Sequence, residues 1–202
     1  MIIEDNIIRY YMKDVYFITG TAYAGKSTAV KALSERYGMI FCGENYDMAV
    51  SDIVAEPDVQ PDICYMKQLT DWRGFVTRSP QEYERWIRGV ANEAAGFEVT
   101  KLISLFGQGK VIVDTNIPLD MLHRISDYDH VAVMLSPQSM SVERFFDRND
   151  PEKKFLLDVI NSKERYDEFA NSGFFTLVRE DDGRDTREEM LHTLARHFGL
   201  ET

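Results

Sequence analysis

The sequence lacks the features by which many secreted and membrane proteins are recognised. Two cysteines, Cys42 and Cys64, are too few for a disulfide framework and do not have the spacing of a metal site. No stretch approaches the roughly 20 apolar residues that a membrane-spanning helix requires. The first residues show no basic start followed by a long apolar run, so no signal peptide is predicted. We therefore expect a cytoplasmic protein with reduced thiols and no membrane partner.

Positive charge is also scarce. Lysine and arginine number 23 against 34 aspartates and glutamates, which gives a net charge of −11. Proteins that bind nucleic acid without sequence preference neutralise phosphates with lysine and arginine, so nucleic acid is not an expected partner. The 44% of hydrophobic and 28% of charged residues are ordinary for a globular protein, and 202 residues are enough for one domain.

Strand and helix patterns alternate along the chain. Short apolar runs predict strands at 15–19, 39–42, 111–114, 131–135 and 174–178. Helical spacing and capping signals predict helices at 26–37, 46–54, 80–106, 118–124, 139–148, 152–171 and 186–198. Buried strands joined by helical crossovers predict an α/β fold, a three-layer sandwich with a five-stranded parallel sheet between helices.

Two local signals flank the least patterned part of the chain. Between residues 43 and 78 the periodicity is weak, and the prolines at positions 57 and 61 are expected to interrupt any helix there. Ser79-Pro80-Gln81-Glu82 then has the form of a capping box, which predicts the start of the long helix.

A glycine-rich loop directly follows the first predicted strand. It matches the pattern G-x-x-x-x-G-K-[ST] at every fixed position, at a strand-to-helix junction. Such a loop points successive N–H groups at phosphate oxygens; its lysine reaches the β- and γ-phosphates, and its serine hydroxyl holds Mg²⁺. The sequence therefore predicts a site for ATP and Mg²⁺. The residues assigned to it are Gly20, Thr21, Ala22, Tyr23, Ala24, Gly25, Lys26 and Ser27, with Thr28 in the first helical turn.

Several classes of nucleotide-binding protein are excluded by missing motifs. A GTPase is expected to carry Asp-x-x-Gly and Asn-Lys-x-Asp, and neither is present in the matching place. Hydrolytic motor ATPases place a glutamate after the strand-end aspartate, where this chain has Thr115 after Asp114. The Leu-Ser-Gly-Gly stretch of transporter ATPases is also missing.

What remains resembles the nucleoside/nucleotide kinase-like group of P-loop kinases, which includes adenylate, shikimate and gluconate kinases. The loop match is the specific part of the resemblance, and the arrangement of elements extends it over residues 15–199. The resemblance implies a P-loop NTPase fold with strand order 2-3-1-4-5. It also implies a single kinase domain at 15–202 after an extension at 1–14. Within that domain it implies an acceptor-binding region at about 44–106 and a small helical lid at about 139–172.

The resemblance assigns roles on the phosphate side. Asp114 matches the strand-end carboxylate that holds Mg²⁺; the alternative is an N-cap of the short helix that follows. Arg144 and Arg148 fall in the lid, whose arginines neutralise the transferring phosphoryl group. The alternative for both arginines is a solvated helix face with ion pairs four residues apart.

Other roles concern the acceptor and the adenine ring. Glu44 and Asp47 follow the second strand, where a carboxylate serves as base or orienter for the acceptor hydroxyl, although Asp47 is equally suited to cap the next helix. Arg78 stands where an arginine holds an anionic acceptor, or else lies on the surface. Arg184 follows the fifth strand, at the expected adenine edge, within an otherwise plain charged turn.

The acceptor itself is not identified, because no subfamily motif fits. After Asp114 there is neither the Gly-Phe-Pro-Arg of adenylate kinases nor the Gly-Gly-Gly of shikimate kinases. We predict a monomeric or homodimeric ATP- and Mg²⁺-dependent kinase. It would transfer the γ-phosphate to a hydroxyl or phosphate of a nucleoside, nucleotide, sugar or similar small molecule. The alternative is an ATP-binding regulatory module without phosphotransfer; a polynucleotide-end kinase is disfavoured by the acidic charge.

Overall fold

A computed structural model describes residues 5–68, 79–140, 163–180 and 184–201. Its sheet has five strands, all paired in parallel, in the order β2-β3-β1-β4-β5. The predicted α/β class, parallel sheet and strand order are confirmed. The strands are β1 Val15–Gly20, β2 Ile40–Cys42, β3 Val111–Asp114, β4 Val131–Leu135 and β5 Phe175–Val178.

Helices connect and cover the strands. Most begin and end within two residues of the predicted bounds, because their caps are local signals. In chain order they are α1 Asp5–Met12, α2 Lys26–Tyr37, α3 Met48–Val54, α4 Pro61–Gln68, α5 Pro80–Ser104, α6 Leu119–Ile125, α7 Lys163–Ala170 and α8 Arg187–His197. Two 3₁₀ turns, Tyr128–His130 and Pro137–Met140, flank β4. Within the described ranges no helix has both the length and the apolar character to cross a bilayer.

The sheet separates two hydrophobic clusters, since successive side chains of a strand point to opposite faces. On one face Phe17 and Val113 pack with α1, α5, α6 and α7. On the other face Ile18 and Ile112 pack with α2 and α8. All four of these strand residues are completely buried. Helices on both faces make three layers, as the uniformly apolar strands predict.

Helix α3 ends at Val54, before both prolines, as expected, but helix α4 was not predicted. Pro61 occupies the first turn of α4, where the missing N–H would have had no helical partner. The next two N–H groups, of Asp62 and Ile63, donate to the Glu93 carboxylate of α5 at 3.1 and 2.8 Å. The Trp86 indole of α5 also donates to the Asp62 carbonyl at 2.9 Å. Helix α4 is therefore stabilised by residues that lie far along the chain.

Helix α5 starts as the capping box predicts. The Ser79 hydroxyl accepts from the Glu82 N–H at 3.3 Å, and the Glu82 carboxylate accepts from the Ser79 N–H at 3.0 Å. The helix then runs for 25 residues along the sheet.

Register brings the ends of three strands together. Ile18 of β1 lies opposite Asp114 of β3, and Gly20 of β1 lies opposite Met134 of β4. The carboxyl ends of parallel strands form one edge of the sheet, where ligands bind in open α/β folds. The glycine-rich loop therefore begins between the ends of β3 and β4.

Candidate functional site

The loop from Gly20 to Lys26 requires glycine at both ends. Gly20 has φ +126°, and a Cβ at this position would lie 2.0 Å from the Met134 carbonyl oxygen. Gly25 has φ +88°, a conformation that glycine adopts without steric cost. Between them Tyr23 is a non-glycine residue at φ 62°. The two glycines thus let the chain turn back tightly from β1 into α2.

Thr21 fixes the loop to β4. Its N–H donates to the Met134 carbonyl at 3.0 Å, and its hydroxyl accepts from the Ser136 N–H at 2.9 Å. Thr21 is buried, and so are both of its partners. These bonds make the first half of the loop a rigid continuation of the sheet.

Lys26 is the first residue of α2, and its ammonium group bends back over the loop. The Nζ atom donates to the Thr21 carbonyl at 2.9 Å. Gly25 precedes the helix and has no side chain that could cap its first N–H groups. The N–H groups of the first helical turn, the positive end of the helix dipole and a lysine together favour an anion at this point.

Ser27 and Asp114 form the polar contact between loop and sheet. The Ser27 hydroxyl donates to Asp114 Oδ2 at 2.6 Å. Asp114 Oδ1 is buried and has no hydrogen-bond partner among the described residues. Burial raises the pKa of Asp114, and the Ser27 hydroxyl and the Lys26 charge oppose that rise. Helix α6 begins only at Leu119, after Pro118, so Asp114 is not its N-cap.

A second buried carboxylate, Glu98 of α5, was missed by the sequence reasoning. The Thr115 hydroxyl donates to Glu98 Oε2 at 2.6 Å, and Glu98 is only 4% exposed. Burial raises the pKa of Glu98 to about 7. A signal was present in the sequence: Glu98 is three residues after buried Ala95 and four before buried Leu102, so it lies on the apolar stripe.

The two predicted acceptor carboxylates differ in environment. Asp47 is 3% exposed and makes no side-chain cap to α3, and burial raises its pKa. Glu44 is exposed and accepts from the Asn116 amide at 3.3 Å. The negative charge of Asp47 acts on Glu98, and that of Glu44 acts on Asp114. The structure thus brings both predicted carboxylates to the edge that holds Asp114.

A cavity of about 320 Å³ opens beside the loop and the start of α2. Arg184 lies in its wall, as do Gly25 and Thr28 of the predicted nucleotide set. Arg179, at the end of β5, was not predicted from the sequence. Its guanidinium donates to the Tyr23 carbonyl at 3.1 Å and lies in the same wall. The rest of the wall is formed by Ala24, Ala29, Met134, Asp185, Thr186, Arg187, Met190 and Leu191.

Three predicted site residues lie outside the described residues. These are Arg78, expected to hold the acceptor, and the lid arginines Arg144 and Arg148. Most of the predicted lid at 139–172 is also outside; its described parts are the end of the 3₁₀ turn at Met140 and helix α7 with the turn after it.

Comparison with known proteins adds little to this geometry. No protein-family model matches the chain, and no curated protein matches its sequence. The chain is similar to a solved structure of a presumed kinase from Chloroflexus aurantiacus, with 13% identity and a TM-score of 0.46, over 93% of this chain and 97% of that chain. At this identity and TM-score the likeness indicates no activity for this chain.

Proposed function

We propose that the protein is a P-loop kinase, which uses ATP and Mg²⁺ to phosphorylate a small molecule. One observation carries the proposal: the loop sequence Gly20 to Ser27 lies at the carboxyl edge of a parallel sheet, and its serine contacts the strand-end carboxylate Asp114. A tight turn between strand and helix does not require a lysine, a serine or an aligned carboxylate. Phosphoryl transfer uses all three of these groups.

The residues at Asp114 fit a magnesium ion. A buried carboxylate oxygen without a partner is costly unless a ligand compensates it, and Asp114 Oδ1 is in that position among the described residues. Ser27 and Asp114 would hold the ion, both through oxygen atoms, which Mg²⁺ prefers. Bound there, Mg²⁺ would supply positive charge to the phosphate oxygens.

The chain's own groups would bind the rest of the nucleotide. The N–H groups at the start of α2 would donate to phosphate oxygens, and the Lys26 ammonium would exchange its contact with the Thr21 carbonyl for a phosphate oxygen. The cavity beside Gly25 has room for a base, and its wall contains both apolar side chains and the arginines Arg179 and Arg184. A guanidinium plane can stack on an aromatic ring, which suits adenine.

The acceptor would enter from the side of β2 and α5. Glu44 and Asp47 are the groups that would orient its hydroxyl, and burial raises the pKa of the Asp47 carboxyl. Arg78 would contact an anionic acceptor, and Arg144 and Arg148 would neutralise the transferring phosphoryl group. These three assignments rest on the sequence alone.

A phosphotransfer screen tests the proposal. Purified protein is incubated with ATP and Mg²⁺ and offered nucleosides, nucleotides, sugars, sugar acids and aminoglycosides in turn, and ADP formation is followed. We expect one class to raise ADP formation well above the rate without acceptor. Tight ATP binding with no stimulation by any class would contradict the kinase and support the regulatory module. Absence of ATP binding would contradict both.

A further inference from the structure

Glu98 is a carboxylate in an unusual place. It lies in the interior of the 25-residue helix α5, on the face that packs against the sheet, where 4% of its surface is exposed. Burying a carboxylate is costly unless hydrogen bonds compensate it, and most acidic residues of a long helix face water. An apolar residue would pack at this position at lower cost, so packing alone does not explain a glutamate here.

The compensating contact comes from the turn that follows Asp114. The Thr115 hydroxyl donates to Glu98 Oε2 at 2.6 Å and accepts from the Ile117 N–H at 3.0 Å. The Thr115 N–H donates to the Ile18 carbonyl of β1 at 3.0 Å. Thr115 is 1% exposed and Ile117 is 2% exposed. One residue, through its hydroxyl and its backbone N–H, thus joins α5, the central strand and the turn after β3.

This junction fixes the direction of the neighbouring carboxylate. Asp114 and Thr115 share a peptide group, so a displacement of the backbone at Thr115 also moves the Asp114 backbone from which the carboxylate projects. A hydroxyl at 2.6 Å from a carboxylate is a strong, directional restraint. Asp114 has one oxygen on Ser27 and the other without a partner in the described part of the chain, so Thr115 supplies the restraint that Asp114 lacks.

Two other carboxylates and a tyrosine lie around Glu98. Asp47, at the start of α3, and Asp114, in β3, both repel its negative charge, and the Tyr46 hydroxyl donates to the Glu98 backbone carbonyl at 3.3 Å. A threonine hydroxyl can donate to a carboxylate or accept from a carboxylic acid. The contact to Thr115 therefore persists in either protonation state of Glu98.

We infer that Glu98 is a positioning residue for Asp114: through Thr115 it holds the strand-end carboxylate in the orientation that binds the metal ion of the nucleotide complex. This inference rests on the proposed function, because it needs a nucleotide with Mg²⁺ at the loop. Partners that orient a metal ligand without touching the metal commonly change metal affinity by about 10- to 100-fold. Glu98 and Thr115 should act on the metal-dependent part of nucleotide affinity and leave the phosphate contacts of the loop intact.

Calorimetric titration with ADP and with ATP, each in Mg²⁺ and in EDTA, separates the metal-dependent part of nucleotide affinity from the part that comes from the phosphate contacts of the loop. No acceptor is required. Thr115→Val removes the hydroxyl at nearly constant shape, and Thr115→Ser keeps it. Glu98→Ala removes the carboxylate, and Glu98→Gln keeps a hydrogen-bonding group. We expect the Val and Ala variants to lose about tenfold or more of the affinity gained from Mg²⁺. Affinity in EDTA should remain that of the unmodified chain, and the Ser and Gln variants should retain most of the gain.

The inference is overturned if Thr115→Val, with an unchanged circular dichroism spectrum, gains as much from Mg²⁺ as the unmodified chain. It is also overturned if that variant loses equal affinity with and without the ion, because the threonine would then support the loop as a whole. Failure of the unmodified chain to bind either nucleotide overturns the proposed function and this inference together. Metal-assisted binding that is indifferent to all four substitutions overturns the inference alone.

Discussion

Ser27 and Asp114 are 87 positions apart in the chain, yet the serine hydroxyl lies 2.6 Å from the carboxylate and donates to it. The contact exists because β1 and β3 pair in a register that sets Ile18 opposite Asp114. The loop and the carboxylate therefore belong to one rigid unit. Substitutions in the loop and at the carboxylate should have separate effects on nucleotide binding and on stability.

Lys26→Ala should abolish turnover and reduce ATP affinity by at least about tenfold, because no other group replaces a charge-assisted contact to phosphate. The side chain now contacts only the Thr21 carbonyl among the hydrogen bonds of the described chain, so the fold should persist. Titration calorimetry and thermal denaturation measure the two effects. Lys31→Ala, on an exposed site of the same helix, is the matched control and should bind normally. Full activity of Lys26→Ala would refute the role of the lysine.

Asp114→Asn should separate function from stability. Burial raises the pKa of Asp114, so keeping this group ionised above that pKa costs folding free energy. The asparagine variant should therefore resist urea better than the unmodified chain at pH 8, while losing the effect of Mg²⁺ on nucleotide affinity. Asp120→Asn, at an exposed position of α6, should change neither property. A lower urea midpoint for Asp114→Asn at pH 8 would contradict the expected cost.

Two glycine substitutions should have opposite effects. Gly20→Ala places a Cβ 2.0 Å from the Met134 carbonyl oxygen at a φ of +126°, and should cost about 2 kcal/mol or more of unfolding free energy. Gly96 lies inside α5, and a Cβ there meets nothing within 4 Å. Gly96→Ala should therefore stabilise the protein by about 0.5–1 kcal/mol through helix propensity. Equal stability of the two variants in urea denaturation would contradict the loop geometry.

Glu98→Gln should flatten the dependence of stability on pH. The folded pKa of Glu98 is about 7, above the usual 4.5, so its contribution to stability is complete below pH 4.5 and is lost as pH rises through 7. Relative to the unmodified chain, the glutamine variant should gain stability between these values, up to roughly 3 kcal/mol. Asp47 and Asp114 shift in the same direction but are present in both proteins. A difference in unfolding free energy that stays constant from pH 4.5 to 8.5 would exclude the raised pKa.

Arg179→Ala should weaken ATP binding by about tenfold, the equivalent of one hydrogen bond from a charged donor. The guanidinium now holds the Tyr23 carbonyl at 3.1 Å, so its loss also releases the middle of the loop. Arg179→Lys keeps the charge but not the planar fork, and should recover only part of the affinity. Arg196→Ala, at an exposed position of α8, is the control variant. Unaltered binding by Arg179→Ala would remove this arginine from the site.

What the sequence predicted well was local. The loop, the strand before it and the capping box at Ser79 are contiguous signals, and their structure follows from backbone rules over a few residues. The strand order followed from the resemblance to P-loop kinases and is confirmed in the sheet. Within the candidate site, Ser27 and Asp114 are in contact at one edge of the sheet, because strand ends in a parallel sheet meet there.

What the sequence did not predict depends on distant partners. Helix α4 was not predicted, because a proline can either break a helix or occupy its first turn. Here Glu93 of α5 accepts from the N–H groups of Asp62 and Ile63 in the first turn of α4. Glu98 was passed over because its partner Thr115 lies in another element. Arg179 was not predicted, because only the pairing of β5 beside β4 brings it to the loop. In each case the deciding contact is tertiary.

The attachment of Thr21 to β4 has a consequence for how the molecule is assembled. The loop residues are synthesised early, but their N–H and hydroxyl partners, Met134 and Ser136, emerge much later from the ribosome. Central strand β1 pairs with β3 and β4, both long-range neighbours, so the contact order of this region is high. A nascent chain that stops before β4 carries the complete phosphate-binding sequence without the contacts that shape it. Nucleotide recognition should therefore appear late in folding, and as a single event.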